Sequence, residues 1–142
     1  MNYSTFEKIK KTYGRVSSWA LWRAGKTISD TSNISLFINP SKDTLQTLHV
    51  NYIFVGLNIS GPISQDKPFG NFHGGRNDYW LRDAIRDTQL VGSYMTDILK
   101  FHVDPNSNSV VKYFRENKAD LNKHVIKFRQ ELEDIGANKC ST

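Results

Sequence analysis

Cysteine is almost missing from this chain: the one thiol in 142 residues is Cys140, so no disulfide framework can form within it. That fits a reducing, cytoplasmic setting. Long apolar runs are missing too. None approaches the roughly 20 residues that a membrane span needs, and the opening MNYSTFEKIKKTYGR lacks the apolar stretch of a signal peptide. The expectation is a soluble chain without a membrane partner. His49, His102 and His124 show no metal-ligand spacing with cysteine or with one another, so no metal site and no cofactor are expected. No Gly-Lys-Ser/Thr follows the glycines and no Gly-x-Gly-x-x-Gly turn occurs, which argues against nucleotide-triphosphate binding.

Acids are scarce at the start of the chain. Residues 1–29 carry Lys8, Lys10, Lys11, Arg15, Arg23 and Lys26 against Glu7 alone, which accounts for the whole net charge of +5. Such a segment either lies along phosphates or is a solvated helix face. Hydrophobic and charged contents of 38% and 23% are those of a globular protein, and the length is that of one domain, 1–142.

Phe6, Ile9 and Tyr13 are spaced for a short amphipathic helix that Gly14 would end. Trp19 and Trp22 read as core-facing rings. Residues 25–35 are loop-like, Ile34–Ile38 reads as a short β-like run, and Thr44–Leu48 is ambiguous. Tyr52-Ile53-Phe54-Val55 is continuously apolar, the pattern of a central parallel strand buried on both faces. Tyr79–Leu90 reads as a helix and Ser93–Leu99 as a second strand. Leu121, Val125, Phe128, Leu132 and Ile135 mark a closing amphipathic helix, with Gly136 where a C-terminal cap glycine belongs. This alternation predicts an α/β fold, three-layer α/β/α, with a short central parallel sheet.

Between Asn58 and Asn77 runs a long loop with Gly61, Gly70, Gly74 and Gly75 inside it and Gly56 just before it. Long loops in compact domains are usually functional or disordered. This one leaves the carboxyl end of the best strand, where open α/β sheets gather ligands. Its later part, Pro68-Phe69-Gly70-Asn71-Phe72-His73-Gly74-Gly75, sets aromatics among glycines, where a planar ligand can approach the backbone.

Gly56-Leu57-Asn58 is similar to the Gly-Ile-Asn-Pro-Gly motif of the mismatch-specific uracil/thymine branch of the uracil-DNA glycosylase superfamily. Phe72 stands 14 residues beyond Asn58, near the place of that branch's stacking phenylalanine. Asn77-Asp78-Tyr79-Trp80 stands where the branch has Asn-Arg-Phe-Trp. The resemblance implies a DNA base-excision enzyme that hydrolyses the N-glycosidic bond of uracil or a related flipped base. Asn58 would position the attacking water, Phe72 would stack on the base, and Asn71 would read its edge. Backbone N–H groups near Asn58 to Gly61 would hold a base carbonyl, and Gly56 and Leu57 belong to the same base-binding stretch. His73, Asn77 and Asp97 are further candidates, and Lys100 would pair with Asp97 or with phosphate.

The sequence also departs from the pattern. Ile59-Ser60 replaces the family's Pro-Gly, and nothing after Asp97 matches its second motif, His-Pro-Ser or Asn-Pro-Ser. The resemblance thus covers the N-terminal half to two-thirds of a family domain, with the C-terminal strands missing. Three readings stay open: a glycosylase acting on DNA, a catalytically inactive nucleobase- or nucleic-acid-binding module, and a fragment whose exposed sheet edge is completed by self-association or another chain.

Overall fold

The computed structural model describes residues 1–61 and 67–137. Cys140 and the middle of the glycine-rich loop lie outside the described residues. The elements are α1 (Tyr3–Tyr13), β1 (Ser17–Trp19), α2 (Ser35–Ile38), α3 (Lys42–Thr47), β2 (His49–Asn58), α4 (Asp78–Ile85), β3 (Ser93–Leu99), α5 (Ser107–Glu116) and α6 (Lys118–Asp134). The α/β class stands.

The ends of the helices follow their capping chemistry. Asn2 caps α1 by accepting from the Thr5 amide, and Phe6 and Ile9 are its buried residues, on the face the spacing predicted. Ser41 caps α3 by accepting from the Thr44 amide, which settles the ambiguous stretch as helix. Gly136 takes φ +80 just past α6, the left-handed cap that glycine accommodates without strain. The expected β-like run Ile34–Ile38 is instead the single turn α2. The Asn33 carboxamide accepts from the Ser35 amide, and that local bond turns the chain before it can extend.

The three-stranded sheet has the order β1-β3-β2, so β3 and not β2 is central. It is mixed rather than parallel: β2 runs parallel to β3, and β1 runs antiparallel to it. The short serine-rich β1 gave no strand signal because both its serines are buried. The apolar run in β2 is only partly covered, with Tyr52, Val55 and Leu57 each more than 40% exposed. The buried strand is β3, whose Ser93, Thr96 and Asp97 hide its central position from a hydropathy reading. Buried polar groups are tolerated where hydrogen bonds satisfy them, and Thr96 and Asp97 are so satisfied.

Alternate residues of β3 face opposite sides of the sheet. Tyr94 joins a core of Phe6, Ile9, Trp19, Phe37, Phe69 and Ile135, which brings α1 and the end of α6 onto one face. Met95 joins Ala20 and Ile85, with Phe54, Phe72 and Leu81 packed against them, which brings α4 onto the other. The site is built on this second face, at the carboxyl ends of β2 and β3.

Candidate functional site

Two strands and one loop build the site. Gly56 and Asp97 are register partners in the parallel pair, and Asn58 ends β2 two residues further on. The loop reaches them because Phe69 is inserted into the core. Phe69 is fully buried, with its ring 5.5 Å from Phe6, 6.1 Å from Trp19 and 5.7 Å from Phe37. Its amide donates to Gly14, and its carbonyl accepts from the Ser18 hydroxyl. With the chain pinned there, Asn71 and Phe72 are turned over the ends of the strands.

Phe69 and Phe72 have φ of +62 and +61. A bulky non-glycine residue in the left-handed region is strained by about 1–3 kcal/mol and persists only where its surroundings over-determine it. For Phe69 the core does this. For Phe72 the indole N–H of Trp22 donates to its carbonyl at 3.2 Å, and its ring packs against the Met95 cluster.

Asn58, Gly61, Asn71, Phe72, His73 and Asp97 line one cleft of about 320 Å³. Six of the residues singled out from sequence are therefore neighbours in space. Gly56 lies behind Asp97 and Phe72 rather than in the lining. Leu57 is 41% exposed and is not part of the lining. Asn77 is also outside the cleft. It precedes α4 without a side-chain capping bond, and the neighbouring Asp78 carboxylate instead accepts from the Gly75 amide at 2.7 Å. Asp78 and Ser60 line the cleft as well. Sequence reasoning missed both, along with Phe69 and Trp22. An acid in the first turn of the helix after the loop was the one available signal for Asp78.

The hydrogen bonds fix what each side chain can offer. Asn71 donates through Nδ2 to the Asp97 carboxylate at 2.7 Å and to the Val16 carbonyl at 3.3 Å. Asn58 donates through Nδ2 to the carbonyls of Ile59, His102 and Asp104, at 3.1, 3.2 and 2.8 Å. An amide nitrogen has two hydrogens, so both asparagines spend their donors on the protein. What they keep for a ligand is the acceptor oxygen. Asn58 also ties the chain after β3 to the end of β2.

Burial sets the electrostatics. Asp97 is 2% exposed, and burial raises its pKa above the usual carboxylate value. The Asn71 bond and the Lys100 charge oppose that rise. Burial also raises Asp78, against the pull of the Gly75 amide. His73 goes the other way: burial lowers its pKa to about 4, only partly offset by its bond to the Trp19 carbonyl. Its ring stands 5.5 Å from Trp22 and 5.4 Å from Phe37. At neutral pH it is an uncharged packing group with no proton to spare.

Lys100 does not pair with the Asp97 carboxylate. It forms a buried ion pair with Glu131 on α6 and donates to the Thr96 hydroxyl at 2.6 Å and to the Asp97 main-chain carbonyl at 2.8 Å. Its charge is spent on the opposite face of the sheet. A larger cavity of about 650 Å³ lies between residues 20–28 and the end of α4, and none of the candidate residues lines it. Among the described residues no group of three or more His, Cys, Asp or Glu is arranged to hold a metal ion, and no helix is long and apolar enough to cross a membrane. Comparison of this chain with protein-family models, with curated proteins and with solved structures finds no match.

Proposed function

We propose that the cleft binds a nucleobase swung out of a DNA strand, and that the chain is a cytoplasmic, uracil-DNA-glycosylase-like base-excision protein acting on the N-glycosidic bond of uracil or a related base. One observation carries the reading: an aromatic ring held at a strained φ of +61 stands beside a buried carboxyl that is hydrogen-bonded to a neighbouring asparagine, in a small cleft at the carboxyl ends of two parallel strands. Strained residues cluster at ligand clamps, and a perturbed carboxyl in a cleft is a mark of acid–base chemistry.

In this reading Phe72 stacks on the base, and the acceptor oxygen of Asn58 holds a water by one of its hydrogens. The C1′–N bond breaks with its electron pair leaving on the base, which departs as its anion. Water adds to C1′, and Asp97 takes the proton that the water loses. The base anion then takes up a proton from solvent and Asp97 returns its own to solvent, leaving the free base and an abasic sugar. A carboxylate with a raised pKa is a better base than an ordinary one, which gives the burial of Asp97 a use. A second reading, binding without catalysis, is favoured by the full commitment of the Asn58 amide nitrogen to three main-chain carbonyls. That commitment makes Asn58 first of all a tie between loops.

The test is release of base from a uracil-containing oligonucleotide by the parent chain and by Asn58→Ala, Phe72→Ala and Asp97→Asn. Release by the parent and its loss in all three variants is the expected result. Phe72-dependent binding without release would leave the binding module, and neither release nor binding would overturn both readings.

A further inference from the structure

We propose that the surface around Phe101, beside the cleft, holds the single-stranded nucleic acid that flanks the bound base. The proposal rests on the reading of the cleft as a base pocket. Phe101 follows the end of β3 by two residues, so it stands at the same end of the sheet as Asn58 and Asp97. The Asn58 amide fastens this stretch to the cleft by donating to the carbonyls of His102 and Asp104. Phe101 is 63% exposed although it is a large aromatic. It stands between two hollows, one of about 500 Å³ shared with Arg15 and Val103, the other of about 240 Å³ shared with Lys123 and Lys127.

The charge around the ring is positive. Arg15, Lys123 and Lys127 are exposed, and among the described residues none of them forms an ion pair. The Lys127 ammonium stands over one face of the Phe101 ring, 4.6 Å from its centre, which leaves the other face for a base. One acid, Asp120, lines the smaller hollow. An exposed ring with cations on both sides matches what an unpaired strand offers, a base to stack and phosphates on either side of it. A duplex keeps its bases stacked inside and has no use for the ring. An acidic peptide has charge to offer but no regular planar group.

The experiment is titration of the full chain into a short fluorescein-labelled oligothymidylate, read by anisotropy over a range of salt. Binding of the single strand in preference to its duplex is expected, weakened on the order of tenfold by Phe101→Ala and retained in Phe101→Trp. Lys123→Gln with Lys127→Gln lowers the slope of log affinity against log salt by about 1.4, from about 0.7 per phosphate contact on a single strand. Phe101 is exposed, so its variants leave the fold intact. Equal affinity for duplex, no effect of Phe101→Ala, or equal competition by polyglutamate would each overturn the proposal. Because oligothymidylate carries no uracil, its binding is read separately from base release. A Phe72→Ala chain that loses base release and still binds the strand separates the two claims.

Discussion

Asp97 occupies the space that a side chain on Gly56 would fill. A Cβ built on Gly56 falls 2.1 Å from Asp97 Oδ1 and 3.4 Å from Cζ of Phe72. The glycine is needed for room, since its backbone is ordinary β-strand. Gly56→Ala must push Asp97 out of its bond with Asn71 or spread β2 from β3. Forcing an extra group into a packed site costs about 1–3 kcal/mol. We expect urea unfolding to show a loss in that range, together with weakened ligand binding in the cleft. Unchanged stability would mean that Asp97 has another place to go.

The Asn71–Asp97 bond separates pairing from burial. Asn71→Leu removes the donor and leaves a buried carboxyl alone, with an expected cost of about 1–3 kcal/mol. Asn71 opposes the upward shift of Asp97, so its loss raises that pKa further. A carboxyl whose folded pKa exceeds its unfolded one loses stability as pH rises through the gap. The variant is therefore expected to be weaker relative to the parent at pH 8 than at pH 5. Denaturation at the two pH values checks this, and an equal loss at both would show that Asp97 stays ionised without Asn71.

His73 titrates in the opposite sense. Its folded pKa of about 4 lies below the 6.5 of an ordinary histidine, so the unfolded chain binds the extra proton first. The histidine therefore contributes nothing to acid loss above about pH 6.5, and stability falls as pH drops from there toward 4, by about 3 kcal/mol in all. Asp97 and Asp78, both shifted upward, slope the other way and blunt the loss. His73→Gln is expected to flatten the acid limb of the stability curve. A limb unchanged by that substitution would place the acid sensitivity elsewhere.

How much of this was legible in the sequence depended on where polar residues ended up. The helix starting at Tyr3 was readable because its apolar spacing matches its buried face. The helix starting at Lys118 was readable as an element, but its apolar stripe is only half-buried and its buried residues are His124 and Glu131. The loop was readable because glycines and aromatics together have few uses, and six of its region's candidates do share one cleft. The sheet order was not readable. Ser93, Thr96 and Asp97 sit on the buried central strand, while the fully apolar Tyr52–Val55 lies in the outer one. For Thr96 and Asp97, tertiary hydrogen bonds to Glu131 and Asn71 make that exchange affordable, and no local pattern announces a partner 35 residues away. Phe69 was missed for the same reason. A phenylalanine among glycines suggests a ligand, yet this one is an anchor in the core.

The partner of Lys100 shows what such a hidden network is worth. Glu131 is fully buried and accepts from the Tyr94 hydroxyl at 2.8 Å, the Thr96 hydroxyl at 3.0 Å and the Lys100 ammonium. Burial lowers the Lys100 pKa, and Glu131 holds it up. Removing one member of a buried pair strands the other charge, at about 3–5 kcal/mol. Replacing both with apolar side chains of similar volume is often close to neutral. We therefore expect Glu131→Leu and Lys100→Met each to be strongly destabilised in urea, and the double variant to recover most of the loss. The recovery cannot be complete, because Tyr94 and Thr96 lose their acceptor in the double variant as well. If the two losses simply add, the stabilising partner of Glu131 is the pair of hydroxyls, and the ion pair is incidental to the fold.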